Sequence, residues 1–249
     1  MTSAPAVPTV GPGPIARTIA SESRRVRGDP LPWAFLPVIP VLLVSLLASL
    51  PSDLRIAPTS VIVALAAELS ASVFSLLLLV VAVLGALGVT LADKAGVLAR
   101  EELFGTAAGV FCARASSSVL TSLLFGAVGI VALETAFAVA YGHVLLPTAT
   151  AMRTLAAMAA AGLWGHLVGV LIRSPILVLF VVPATLMPAA LLADVAPALA
   201  DVLPMQTFLS SAGLAPEGLG GAASAVTASA WLLVLGAAAL LALRRRDRL

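Results

Sequence analysis

Residues 69–91 read LSASVFSLLLLVVAVLGALGVTL. Nothing in this stretch carries a charge, and it exceeds the roughly 20 apolar residues that an α-helix needs to cross a bilayer. Hydrocarbon offers no water to backbone N–H and C=O groups. Only a segment that satisfies them internally can sit there, which means a helix. Five further stretches are long and apolar enough to follow it: 33–50, 115–140, 154–172, 175–193 and 219–243. Within all six, the ionisable residues are Glu134 and His166. Composition agrees. Of 249 residues, 61% are hydrophobic and 10% charged, whereas a soluble domain carries about 25% charged residues. The sequence therefore predicts an all-α integral membrane bundle of six transmembrane helices.

Six spans put both termini on one side, and cationic residues choose the side. With the termini inside, only Arg55 and Arg153 of the 14 Lys and Arg residues fall outside. This places 92–114 in the cytoplasm and ends the chain on a cytoplasmic RRRDRL. The outer loops are then 51–68, 141–153 and 194–218. The last is too apolar for a free loop, and Pro197, Pro204 and Pro216 interrupt it. It is expected to form short helices on, or dipping into, the outer face, where irregular backbone survives only against protein or a wet cavity.

Residues 1–14 hold four prolines and two glycines and predict a disordered tail. Residues 15–249 are expected to form a single six-span domain with its extensions. In 15–28, Ile15, Ile19 and Val26 share a helical face, while Arg17, Arg24, Arg25 and Arg27 lie on other sides. That pattern suits an interfacial amphipathic helix whose arginines meet anionic lipid. The alternative is a solvated basic leader. In the fifth span Pro183 and Pro188 are expected to bend the helix. In the fourth, Gly162, Gly165 and Gly169 form one smooth face for close helix contact. Both features suit bundle packing or the shaping of a moving pathway.

Several chemistries are excluded. There is no phosphate-cradling G-x-x-x-x-G-K-[ST] loop and no G-x-S-x-G elbow. The single cysteine, Cys112, excludes an internal disulfide, and there is no Cys/His cluster to hold a metal. A net charge of only +2 gives no nucleic-acid signature. Glu101-Glu102 resembles the paired glutamates of intramembrane prenyl-peptide proteases. That family's E-E-x-x-x-R would need Arg where Thr106 stands, and its F-x-x-x-H is missing. No catalytic residue and no metal ligand is assigned.

Glu134 and His166 are candidates for a translocation pathway. An ionisable side chain in lipid is costly unless paired or wet, so it reads as functional by default. Glu134 lies about 9 Å inside the outer end of its span. A structural pair with Arg153, or water, is the alternative to a substrate or gating role. For His166 the alternative is hydrogen-bonded packing.

Residues 92–114 carry the most specific pattern, "ADKAGVLAREELFGTAAGVFCAR". Val97, Phe104, Ala108 and Phe111 share a helical face, with Glu101 at its border and Glu102 pointing away. Gly105 and Gly109 each weaken a helix by about 1 kcal/mol, so a break is expected near Gly105-Thr106. The order is a long second span, then E-x-x-x-G-T, then a small-residue lead into the third span. It resembles the permeases of type-2 ATP-binding-cassette (ABC) exporters, in many of which the loop reads like E-Y-R-H-G-T. Glu101, Gly105 and Thr106 match that pattern. The likeness extends over nearly the whole chain: basic N-terminal helix, six spans, short outer helices before the last span, and basic tail. The family's frequent T-P-R-R run and later lysine are missing here, where only Arg114 follows.

The resemblance implies a subunit without ATPase activity of its own. It is expected to pair with a second permease copy and with cytoplasmic ABC ATPase subunits that bind ATP and Mg, so this chain has no cofactor. Arg100, Glu101, Glu102, Leu103, Phe104, Gly105 and Thr106 would form the ATPase-coupling element. Leu103 and Phe104 would be its anchors and the charges would set register. The setting implied is a bacterial plasma membrane, with export of an apolar or amphipathic substrate. The alternatives are a secondary transporter, or an immunity-type or structural membrane protein that transports nothing.

Overall fold

A computed structural model describes residues 24, 27–48, 58–97, 107–142, 146–192, 195–215 and 218–246. Among these, all regular structure is α-helical. In chain order the helices are α1 (Pro30–Phe35), α2 (Val38–Ala48), α3 (Thr59–Lys94), α4 (Ala107–Tyr141) and α5 (Thr148–Ile172). They continue with α6 (Pro175–Leu186), α7 (Pro188–Leu192), α8 (Pro197–Ala200), α9 (Pro204–Ala212) and α10 (Gly221–Arg246).

Four helices, α3, α4, α5 and α10, are long and apolar enough to cross a membrane. The first and fifth expected spans are not single helices. Pro37 lacks an N–H, so the hydrogen-bond ladder is interrupted between α1 and α2, although Leu36 keeps helical angles and donates to the Pro32 carbonyl. Pro188 likewise separates α6 from α7, whereas Pro183 is carried inside α6. Bending at Pro188 therefore becomes a break.

The long helices also overrun the expected loops. α3 begins at Thr59, inside the stretch 51–68 read as an outer loop. Ile62 and Ala66, one turn apart, are buried while Glu68 faces out, so this part is an amphipathic extension of the span. At the other end, residues 92–94 complete α3, and α4 opens at Ala107 rather than at 115. Gly109 thus lies within α4: Ala107, Ala108 and the apolar face around it offset one glycine. The 92–114 loop shrinks to a connection between Lys94 and Ala107. The expected break at Gly105-Thr106 lies outside the described residues, as do 1–14 and Arg17 and Arg25. Arg24 and Arg27 have helical backbone and are exposed.

The core is the seam between α3 and α5. Phe74, Leu77, Leu78, Val81 and Ala82 of α3 are buried against Met158, Ala161 and Val168 of α5. Glycines let these two backbones approach. A Cβ on Gly165 would overlap the Ala82 backbone, and one on Gly169 the Ala86 backbone and Val89. A Cβ on Gly85 of α3 would meet the Gly162 carbonyl in return. The 162/165/169 face is thus a packing surface. It works without a hydrophobic drive, because in lipid close backbone contact supplies the van der Waals energy.

Around the seam the surface is apolar. Val139 is 83% exposed, Leu233 74% and Val226 70%. Water would not tolerate these on α4 and α10, and lipid does. Among the described residues, no charged side chain lies between Glu68 and Asp93 on α3, between Arg114 and Glu134 on α4, or between Arg153 and Arg173 along α5. Arg114 to Glu134 on α4, and Arg153 to Arg173 on α5, each span about 30 Å of helix, the thickness of a hydrocarbon core.

Candidate functional site

At one end of the bundle α3 closes on Asp93-Lys94 and α5 on Arg173. Arg173 Nε lies 3.8 Å from Asp93 Oδ2, with both side chains partly exposed. Such a pair contributes about 0–1 kcal/mol and serves to register the helix ends. Arg173 also takes a left-handed conformation, φ 58°, and its N–H donates to the Gly169 carbonyl. Ser174 then caps α6 and Pro175 opens it. A two-residue turn therefore joins α5 to α6, since proline fits the first helical position and a serine oxygen accepts from an unpaired N–H.

Just inside this end lies His166, 1% exposed. Its Nδ1 is 3.4 Å from the Ser118 hydroxyl of α4, and its ring meets Phe111 at 5.3 Å between centroids. Nε2 has no hydrogen-bond partner among the described residues. Arg114, 7% exposed, is buried nearby on α4. A small polar cavity of about 40 Å³ adjoins this layer, bordered by Asp29, Ser117, Ser118 and Thr121. Asp29 already serves as N-cap of α1, its Oδ1 accepting from the Leu31 N–H. The sequence singled out His166 but gave no reason to choose Ser118 as its neighbour, because the contact bridges two helices.

At the opposite end, Glu134 Oε1 accepts from the Leu146 N–H at 2.7 Å. A carboxylate here receives the first backbone donor ahead of α5, which opens at Thr148. The guanidinium of Arg153 lies beside Gly213 at the end of α9. Glu134 and His166 are thus held in different layers, with no contact between them. Glu134→Gln keeps an acceptor oxygen and is expected to leave stability nearly unchanged. Glu134→Ala should cost about 1–3 kcal/mol in detergent unfolding. Lost transport in a stable Gln variant would show instead that the negative charge itself is used.

Between the two ends the segment before α10 folds inward. Pro204, Thr207, Phe208, Ser210 and Ala212 of α9 are buried, against α5 and α10. Trp231 Nε1 donates to the Val202 carbonyl at 2.7 Å. Trp231 lies about 15 Å along α10 from Gly221, so the N-terminal end of α9 reaches well into the bundle. Trp164 forms the hub: edge-on to Phe208 at 6.3 Å and to Trp231 at 6.1 Å, while its Nε1 donates to Thr185 Oγ1. The proline spacing pointed to short helices here. It did not reveal the aromatic cluster, whose members lie on three separate elements.

The segment assigned to ATPase coupling, Arg100 through Thr106, lies outside the described residues. Its two anchors are described: Lys94, ending α3, and Ala107, opening α4, at the same end as Arg173. Among the described residues no cluster of His, Cys, Asp and Glu could hold a metal. The fold and its charge distribution define a multi-pass helical membrane protein. No protein-family model matches the chain, and no match to it is found among curated proteins or solved structures.

Proposed function

We propose that the chain is the membrane-spanning permease subunit of an ABC exporter. In this reading it spans a bacterial plasma membrane six times, with α1–α2 and α6–α7 as the broken first and fifth spans. Both termini and the 95–106 connection face the cytoplasm. Two permease copies form the path for an apolar or amphipathic cargo, and separate ATPase subunits drive its export.

The reading is carried by the charged sequence AREELFGT, residues 99–106, which lies in the chain between the end of α3 at Lys94 and the start of α4 at Ala107. α3 and α4 run about 54 and 52 Å, so a push on their shared connection is delivered along both. Residues 1–249 hold no phosphate-binding loop, and in this reading a partner ATPase supplies the hydrolysis. The inward-folded α8–α9 segment before the last helix is a further point of likeness to such permeases.

Purification of the full chain, with assay of the preparation for a co-purifying P-loop ATPase, tests this. Leu103→Ser combined with Phe104→Ser removes the apolar anchors. Losing a buried anchor of this kind costs about 2 kcal/mol or more, hence about thirtyfold in affinity. ATPase association and ATP-dependent efflux should both fall, with the permease still folded. Unchanged association and efflux would remove the coupling role from this segment.

A further inference from the structure

A cavity of about 500 Å³ opens on the flank of the bundle between α3, α9 and the break separating α6 from α7. Leu79, Leu186 and Leu209 form apolar wall, while Ser72, Ser75 and Gln206 supply the polar atoms. Among the described residues, no charged side chain lines it. Leu76 and Met187, 46% and 52% exposed, stand at its open side, so the entrance faces the surrounding membrane.

From these features we infer that the cavity binds a single-chain amphiphile with an uncharged, hydrogen-bonding head group. The volume falls in the range of about 300–1,000 Å³ typical of a site for one small ligand. An ionised head would be buried without a counter-charge, which is expensive at this depth. Hydrophobicity alone retains nothing here, because lipid tails are as apolar as the wall. Selection must rest on shape and on the polar trio. Ser75 donates to the Ser72 carbonyl at 2.8 Å and keeps its lone pairs for a ligand donor. The Gln206 amide, half-buried on α9, has no hydrogen-bond partner among the described residues and can both donate and accept.

The helix break supports the same assignment. Met187-Pro188 lies about 18 Å along α6 from Pro175. Met187 keeps helical angles and donates its N–H to the Pro183 carbonyl, but Pro188 has no N–H to give, so the hydrogen-bond ladder is interrupted beside the cavity. Both Met187 and Ala189, on either side of the break, border it. As cargo, the amphiphile rests on the exporter reading; its binding does not.

The test uses the full chain in phosphatidylcholine nanodiscs, without ATPase, and a monoacylglycerol with a diazirine in its chain. Irradiation should label residues 71–79 and 205–209 saturably. Excess unlabelled monoacylglycerol should compete, and an alkyl sulfate of equal chain length should not. Gln206→Leu should weaken binding about fivefold, the loss of one ordinary hydrogen bond. Ser75→Trp, which fills the cavity, should reduce labelling to the level of the lipid-facing side of α10. Non-saturable labelling equal on α10, labelling indifferent to both variants, or equal competition by the alkyl sulfate would each overturn the assignment. ATPase association, measured separately, reports on the exporter reading alone.

Discussion

Gly165→Ala is expected to destabilise the bundle by about 3 kcal/mol or more, and Gly165→Leu to prevent its assembly. Even a methyl group at this position would overlap the Ala82 carbonyl and Cα. A flexible side chain could swing away from it; the backbone of a packed 36-residue helix cannot. α5 would have to shift along most of its buried length, opening the seam that Gly85 and Gly169 close on either side. Gly88→Ala is the matched control. It sits on α3 a turn from Gly85, where an added Cβ meets nothing within 4 Å. Helix propensity predicts a gain of up to about 1 kcal/mol there. Thermal unfolding in detergent, with folded yield, separates the two. Equal behaviour of the two alanine variants would mean that α3 and α5 are not in backbone contact.

Phe208→Ala is the second large effect. The ring is fully buried between Trp164 and the α3–α5 core. Truncating such a side chain costs about 3–5 kcal/mol in water-soluble cores. In lipid part of the transfer contribution disappears, but the cavity and lost ring contacts remain, so the lower end of that range applies. The loss should be local. α9 should leave the bundle while the α3–α5 seam persists. Acrylamide quenching of tryptophan fluorescence should rise, because Trp164 and Trp231 lose their cover, with helix content nearly constant. Phe208→Leu, which keeps most of the volume, should show a small fraction of the change. Equal quenching in wild type and Phe208→Ala would place α9 outside the core.

The helical membrane class was legible because it depends only on run length and the absence of charge. Residues 69–91 and 154–172 needed nothing else, and even their partnership was foreshadowed by Gly162, Gly165 and Gly169. Span continuity was harder to read. Pro37 and Pro188 each sit in apolar runs of adequate length, and hydropathy does not register a missing N–H. Element limits failed for a related reason. Residues 59–68 look like a loop by charge, yet Ile62 and Ala66 find a buried face on neighbours distant in sequence. The contacts of Ser118 with His166, and of Glu134 with Leu146, join separate elements. No local pattern announces them, because they arise only once the helices are laid side by side.

The docking of α9 also has a consequence for how the protein is made. Val202 to Ser211 contains Pro204 and the polar side chains of Gln206, Thr207, Ser210 and Ser211. Its seat is built jointly by Trp164, synthesised earlier, and Trp231, synthesised later. Trp231 supplies part of that seat, so α9 is expected to dock fully only once the final helix has entered the bilayer. A chain ending before residue 221 is expected to leave Trp164 and Phe208 without the cover of Trp231, and so to hold α9 loosely. The last helix thus acts as the latch that completes the fold.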